Sequence, residues 1–328
     1  MSGALLIPAG VALVLLLAAL SVMIGSTVFS PADVATALLA PTGGESDLVI
    51  TGVRIPRMLL AIAAGAALSV AGVVMQALTR NPLADPGILG VNAGASFAVA
   101  LGMTVFGISQ YSATLWLAFA GAALASIAVA ALGASSRGSQ SAARLVLGGV
   151  AVGAVLAGAT SALSMLNPKA YATMRLWEAG SLAGRDLGVS GLTLALVTGG
   201  VVVALLLAPG LNVLVLGEDT ASSLGSRIRA VRGWSLVTIV VLCGAATAAV
   251  GPIAFVGLMV PHAVRAVVGA DQRTVLAYSL LAGPALLLVA DLIARSVIRP
   301  HEVPIGVVTA ILGAPLLVAL VVFRRRAS

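Results

Sequence analysis

Long apolar runs recur along the chain, separated by short polar connections. Set against turn signals, they predict ten spans near 4–24, 58–78, 88–107, 113–133, 145–166, 189–208, 234–250, 253–268, 275–293 and 304–323. A bilayer core about 30 Å thick takes roughly 20 apolar residues per helical crossing, whereas an outer-membrane strand alternates polar and apolar positions. The runs here are unbroken, so they predict transmembrane helices. The first, Ala4 to Ile24, has no basic residue before it and no clear cleavage site after it, and it reads as a retained helix rather than a leader. Spans seven and eight are separated only by the breaker pair Gly251 and Pro252. Merging them would give nine spans and move the C-terminus across the membrane.

The basic residues bear on that choice, because cytoplasmic connections carry the excess of Lys and Arg. With ten spans and both termini cytoplasmic, the inner segments hold Arg80, Arg137, Arg144, Arg227, Arg229, Arg232, Arg265, Arg273, Arg324, Arg325 and Arg326. The outer segments hold Arg54, Arg57, Lys169, Arg175, Arg185, Arg295 and Arg299. The bias favours ten spans and leaves a basic outer face that needs its own explanation. The longest connections, near 25–57, 167–188, 209–233 and 294–303, leave no room for a soluble domain, so residues 1–328 form one membrane domain. Small residues such as Gly149 with Gly153, and Gly121 with Ala125, are expected to let helices approach closely.

Composition narrows the function. The chain is 60% hydrophobic and 9% charged, with mean hydropathy +1.14. Its net charge of +7 sits between apolar runs, where it orients helices and does not form a nucleic-acid surface. A Walker A loop needs a lysine after glycine, yet the single lysine, Lys169, follows Asn167 and Pro168. Any ATPase must then be another subunit. His262, His301 and Cys243 make no metal cluster and no nucleophile with a base beside it, so no enzyme is expected. Cys243, inside an apolar run, reads as packing. An ion gradient is the other energy source, and Asp291 is the carboxylate placed late in a span. It lies one turn before Arg295, a spacing that permits a structural ion pair; a direct transport role is the other reading.

Three connections stand out. Arg80 to Gly87 (RNPLADPG) is a rigid inner turn with two prolines. Gly217 to Gly225 (GEDTASSLG) is a short polar helix candidate that could dock into another protein or remain a solvated loop. Arg54 and Arg57 stand at the outer mouth of span two, where they could meet lipid phosphates, partly neutralised by Glu45 and Asp47.

Taken in order, these blocks resemble the FecCD-type permeases, the membrane subunits of ABC importers for iron siderophores, haem and cobalamin. The resemblance rests on RIPR at 54–57 and the run from Gly72 through MQALTRNPLADPGILGVNAGASFA to Ala98. It continues with LGEDTASSLG at 216–225, GPIAFVGLMVPH at 251–262, ADLIAR at 290–295 and PIGVVTAILGAP at 304–315. NAGASFA, WEAGSL at 177–182 and VLCGAATAAVGPIAF at 241–255 point to the ferric enterobactin branch, hence to a ferric siderophore of catecholate type; haem or cobalamin is the alternative cargo.

The resemblance implies an all-α polytopic fold of ten transmembrane helices, the type II ABC importer permease fold, in the bacterial cytoplasmic membrane with both termini inside. It implies a non-catalytic subunit that binds no cofactor itself, with ATP and Mg on a partner. The implied partners are a second permease subunit, in a heterodimer rather than a homodimer, two copies of an ABC ATPase, and a periplasmic or lipid-anchored binding protein. Gly217, Glu218, Asp219, Ala221, Leu224 and Gly225 become the ATPase-coupling element. Arg54, Arg57 and Arg295 match positions that pair with acids on the binding protein, and Asn81 and Leu83 match a cytoplasmic gate. A second gate of hydroxyl residues before Arg144 is replaced here by Ala142 and Ala143. His262 is expected at an inner helix end, and His301 in an outer loop.

Overall fold

A computed structural model describes residues 3–108, 110–134, 140–217, 228–298 and 301–327. The described residues form helices and connections, with no strand among them. The membrane helices are α1 (Gly3–Met23), α4 (Ile55–Thr79), α5 (Val91–Val105), α6 (Tyr111–Ala134), α7 (Gln140–Leu166), α9 (Leu187–Val215), α10 (Ile228–Val250), α11 (Val256–Val268), α12 (Gln272–Ser296) and α13 (Ile305–Ala327). Each coincides with one expected span. Short helices α2 (Pro31–Leu39), α3 (Glu45–Val49) and α8 (Pro168–Glu178) lie in the long connections 25–57 and 167–188. A π-turn, Ile50–Arg54, leads into α4, and a 3₁₀ turn, Pro86–Leu89, leads toward α5.

Among the described residues, seven helical segments are long and apolar enough to cross a membrane, and α5, α11 and Ile305–Pro315 of α13 are shorter apolar helices. At 1.5 Å per residue, the 13 residues of α11 reach only about 20 Å, short of a full crossing. The non-helical segment 251–255 separates it from α10 and completes the passage. Gly251 at φ 78° and Phe255 at φ 69° break the helix there, and a side chain on Gly251 would strike the Trp177 carbonyl. The breaker pair therefore divides two helices, which gives ten and not nine.

Helix α4 is the centre of the bundle. In its most apolar stretch of 18 residues 83% are buried, against 22% in that of α1 and 17% in that of α7. It packs against α1, α9, α10, α11 and α12. Lipid tails are as apolar as leucine, so close approach rather than water exclusion holds helices together in a bilayer. Sequence supplies that approach as a run of alanine and glycine from Ala61 to Gly72. Gly65 of α4 faces Gly283 of α12 so closely that a Cβ on Gly65 would lie 2.5 Å from the Gly283 carbonyl oxygen. One turn along, Ser69 Oγ donates to the Ser279 carbonyl at 2.8 Å. Gly72 meets the Gly257 carbonyl of α11 in the same manner. Of the small residues singled out in the sequence, Gly121 abuts Gly94, whose own position packs on Ala125, and Gly149 abuts the Ile88 carbonyl. Gly153 has nothing within 4 Å.

Antiparallel packing gathers the chain's functional candidates at two ends. One end holds Arg54, Arg57 and Arg295 with the C-terminus of α1. The other holds the connections after α4 and α9 and before α12, where Asn212 Nδ2 donates to Asp271 Oδ1 at 2.8 Å.

Candidate functional site

Three arginines organise the first end. Arg54 sits where the π-turn delivers it beneath the end of α1, whose last carbonyls have no helical partner. Its Nη1 donates to the Val22 and Met23 carbonyls at 2.8 Å each, and Nη2 donates to the Thr27 carbonyl at 2.6 Å. The guanidinium also lies 4.3 Å from the Phe29 ring centre. A cation here meets both the orphan carbonyls and the negative pole of the helix. Arg295 completes the cap: Nη1 donates to Ser21 and Ile24 carbonyls at 3.1 and 3.0 Å, and Nη2 to Ser21 Oγ at 2.9 Å.

Asp291 joins this cap to α4. Its carboxylate, fully buried, lies 2.8 Å from Arg57 Nη2 through Oδ1 and 2.9 Å from Arg295 Nη2 through Oδ2. Arg57 Nε also donates to Oδ1 at 2.9 Å, and Arg57 Nη1 donates to Glu302 Oε2 at 2.7 Å. The expected pairing of Asp291 with Arg295 on one helix face is present, and Arg57 adds a second cation from another helix. The carboxylates that neutralise this cluster are Asp291 and Glu302, a correction to the expected Glu45 and Asp47. Asp47 instead accepts from the amides of Thr42 and Gly43 at 2.6 and 2.9 Å and closes the turn before α3. Arg54, Arg57 and Arg295 are only 4, 7 and 5% exposed, so in this chain their charged groups serve α1, α4 and α12.

A second cation closes the neighbouring connection. Arg185 Nε donates to the Ala249 carbonyl at 2.9 Å, Tyr111 Oη donates to the same carbonyl at 2.8 Å, and the guanidinium stacks 4.2 Å from the Tyr111 ring centre. Together with Ser181 N on the Val250 carbonyl, they cap the end of α10. From sequence Arg185 counts only as one of the outer basic residues, because its partners Ala249 and Tyr111 lie on two helices distant along the chain.

At the opposite end, α4 stops at Arg80 in the left-handed region (φ 52°), and Asn81 N donates to the Gln76 carbonyl. Asn81 Oδ1 accepts from Leu83 N at 3.0 Å, and Asp85 Oδ1 accepts from Gly87 N at 2.7 Å. Ala84 and Leu89 are buried under this turn, while Asn81 and Leu83 are exposed. The two gate candidates therefore project from a rigid, anchored loop.

Gly217, at φ 112°, follows α9 on the same end. Glu218, Asp219, Ala221, Leu224 and Gly225 lie outside the described residues, as do Arg299 and Arg227. The described flanks are fixed: Asn212 bridges to Asp271 and accepts from Gln272 N at 2.8 Å. Thr274 N and Oγ1, and then Asn212, hold the Asp271 carboxyl below the usual carboxylate range. Ala142 and Ala143 fall in α7, whose side chains are described from Arg144 onward. His262 is half-buried in α11 with interactions of its own, and His301 is exposed before α13. Among the described residues, no three His, Cys, Asp or Glu side chains come together as a metal site.

Comparison with known proteins agrees with this architecture. The chain is 49% identical over 319 residues to the ferric enterobactin transport system permease protein FepD of Escherichia coli (strain K12), covering 97% of this chain and 95% of that protein. It is 38% identical over 298 residues to the siderophore transport permease YfiZ of Bacillus subtilis (strain 168), covering 91% and 90%. A solved metal-chelate-type ABC transporter in an inward-facing conformation superposes with a TM-score of 0.83 at 29% identity, over 96% of this chain and 98% of that one. Residues 13–323 match the FecCD transport family, and the chain, a multi-pass α-helical permease, belongs to that family.

Proposed function

We propose that this chain forms half of the translocation path of an ATP-driven importer for a ferric siderophore of catecholate type, in the bacterial cytoplasmic membrane. The observation that carries the reading is the 49% identity to a ferric enterobactin permease across nearly the whole of both chains. The arrangement of the two ends fits it. Both termini and the Asn81, Leu83 and Gly217 connections lie on the cytoplasmic side in this reading, in keeping with the basic excess there. The arginine end faces outward.

A second, non-identical permease completes the path, two ATPases bind beneath it, and an extracytoplasmic protein delivers the chelate. Glu218 to Gly225 enters the ATPase, with Ala221 and Leu224 giving apolar contact. Closure of the ATPase pair then moves this segment, and the two permeases alternate between outward and inward access. Arg54, Arg57 and Arg295 dock acidic groups of the delivery protein by exchanging part of their internal contacts, and complementary charge there raises the on-rate more than the final affinity. Asn81 and Leu83 close the inner mouth. Helix α7 carries no charge between Leu145 and Leu166 and buries little of itself within the chain, which suits a path that must release its cargo.

Uptake of iron-labelled enterobactin into cells lacking their own permease tests the reading. Accumulation is expected with this chain, its partner subunit and the ATPase. Uptake that survives ATPase deletion and collapses with an uncoupler would support an ion-coupled carrier working through Asp291.

A further inference from the structure

Within the arginine cluster, Glu302 differs from every other charged member. Arg54, Arg57, Arg295 and Asp291 are buried, whereas the Glu302 side chain is 40% exposed. It belongs to no helix. It stands in the connection between α12 and α13, two residues before Pro304, and its contact with Arg57 Nη1 at 2.7 Å ties that connection to α4. Val303 ties it further, its N–H donating to the Ala294 carbonyl at 3.0 Å and its half-buried side chain packing on the core. Just beyond, Gly306 at the start of α13 comes so close to two other backbones that a Cβ there would lie 2.4 Å from the Ala179 carbonyl oxygen and 3.4 Å from that of Pro252. Motion of this connection would therefore reach α13, α8 and the break before α11 together.

We propose that Glu302 is an internal surrogate for the acidic group of the delivery protein: it fills the outward-facing valence of Arg57 in the undocked permease, is displaced by the incoming carboxylate, and thereby frees the start of α13. The inference rests on the docking reading given above. Charge arithmetic favours the exchange. Arg57 and Arg295 face two carboxylates while Arg54 rests on carbonyls beside them, so the three guanidiniums and two carboxylates leave one excess positive charge with Glu302 in place and two without it. Asp291 is locked between two arginines and cannot leave without stranding Arg295 among neutral partners. Glu302 can, because its released carboxylate meets water. An anion arriving at that spot finds a guanidinium nitrogen already aimed outward, fixed by the Nε and Nη2 contacts to Asp291.

The test uses the assembled transporter carrying Val303→Cys, the native Cys243 being buried. A membrane-impermeant maleimide reports release of the connection, and retention of the binding protein purified from the same cells reports docking. Glu302→Gln should speed labelling at position 303 and raise retention about fivefold, the scale of one partly exposed charge pair. Arg57→Lys, which keeps a cation for Asp291 but loses the fork, should speed labelling and lower retention. Labelling unchanged by Glu302→Gln overturns the surrogate role, whatever retention does. Labelling that rises while neither substitution moves retention overturns the docking reading instead.

Discussion

Arg57 and Asp291, 234 positions apart in sequence, meet at 2.8 Å where α4 and α12 run antiparallel at the arginine end of the bundle. Their pairing lies in register with Gly65 against Gly283 and Ser69 against Ser279 farther down the same two helices. The ion pair and the glycine contact are thus parts of one seam. Because Asp291 also holds Arg295, and Arg295 caps α1, the seam recruits a third helix.

Removing the shared carboxylate should expose the cost of that design. Asp291→Asn leaves Arg57 with Glu302 alone and Arg295 with only neutral partners, and breaking a buried pair typically costs about 3–5 kcal/mol. The purified protein should lose that much stability in detergent unfolding. Arg54→Gln, which removes a cap on α1 but no carboxylate contact, should cost less.

Small residues on α4 and α7 differ in what they tolerate. Gly72→Ala places a methyl on the Gly257 carbonyl, and the same change at Gly153 enters open space. Overpacking of a close contact costs about 1–3 kcal/mol or more. Size-exclusion profiles and yields should therefore fall for Gly72→Ala and stay near normal for Gly153→Ala.

At the opposite end, Asn81→Ala removes the acceptor for Leu83 N and should loosen the turn that presents both gate candidates. One hydrogen bond of about 1 kcal/mol corresponds to roughly a fivefold change in a population. Chelate uptake should change by that order with the fold intact. A scaffold with no gating role would transport normally.

Asp271 gives a pH signature. Its folded-state carboxyl is depressed by bonds from Thr274 and Asn212. Its contribution is therefore present above the ordinary carboxylate pKa of about 3.9 and is lost as pH falls through the lower folded value. Asp271→Ala should remove it at every pH and cost about 1 kcal/mol as a lost helix cap. Thermal melts of wild type and variant should converge in acid.

These cases mark where sequence was legible. Most spans can be counted because a bilayer core of about 30 Å calls for roughly 20 apolar residues per full crossing, and Gly251 with Pro252 marks a break that the backbone then makes. Asp291 and Arg295 could be paired because one helical turn fixes their spacing. Arg57 could not be joined to them, since no local pattern connects residues brought together by helix packing. For the same reason sequence alone offers the nearest acids, Glu45 and Asp47, as its neutralising partners. Helix α9 was expected to stop near 208, yet it runs through Pro209 to Val215. Within a membrane bundle, neighbouring groups can satisfy the backbone that proline frees. The helices α2, α3 and α8, of 9, 5 and 11 residues, are too short to register against the spans.

The central claim is that this permease takes its energy from a separate nucleotide hydrolase through the segment that begins at Gly217. The most direct measurement is uphill chelate transport into proteoliposomes containing both permeases, with the ATPase present, absent, or present beside a permease carrying Ala221→Asp and Leu224→Asp. The account predicts accumulation only with the ATPase and the native segment, and loss of accumulation in the double variant while the permease remains folded. Accumulation without the ATPase, or undiminished accumulation by the double variant, would contradict it.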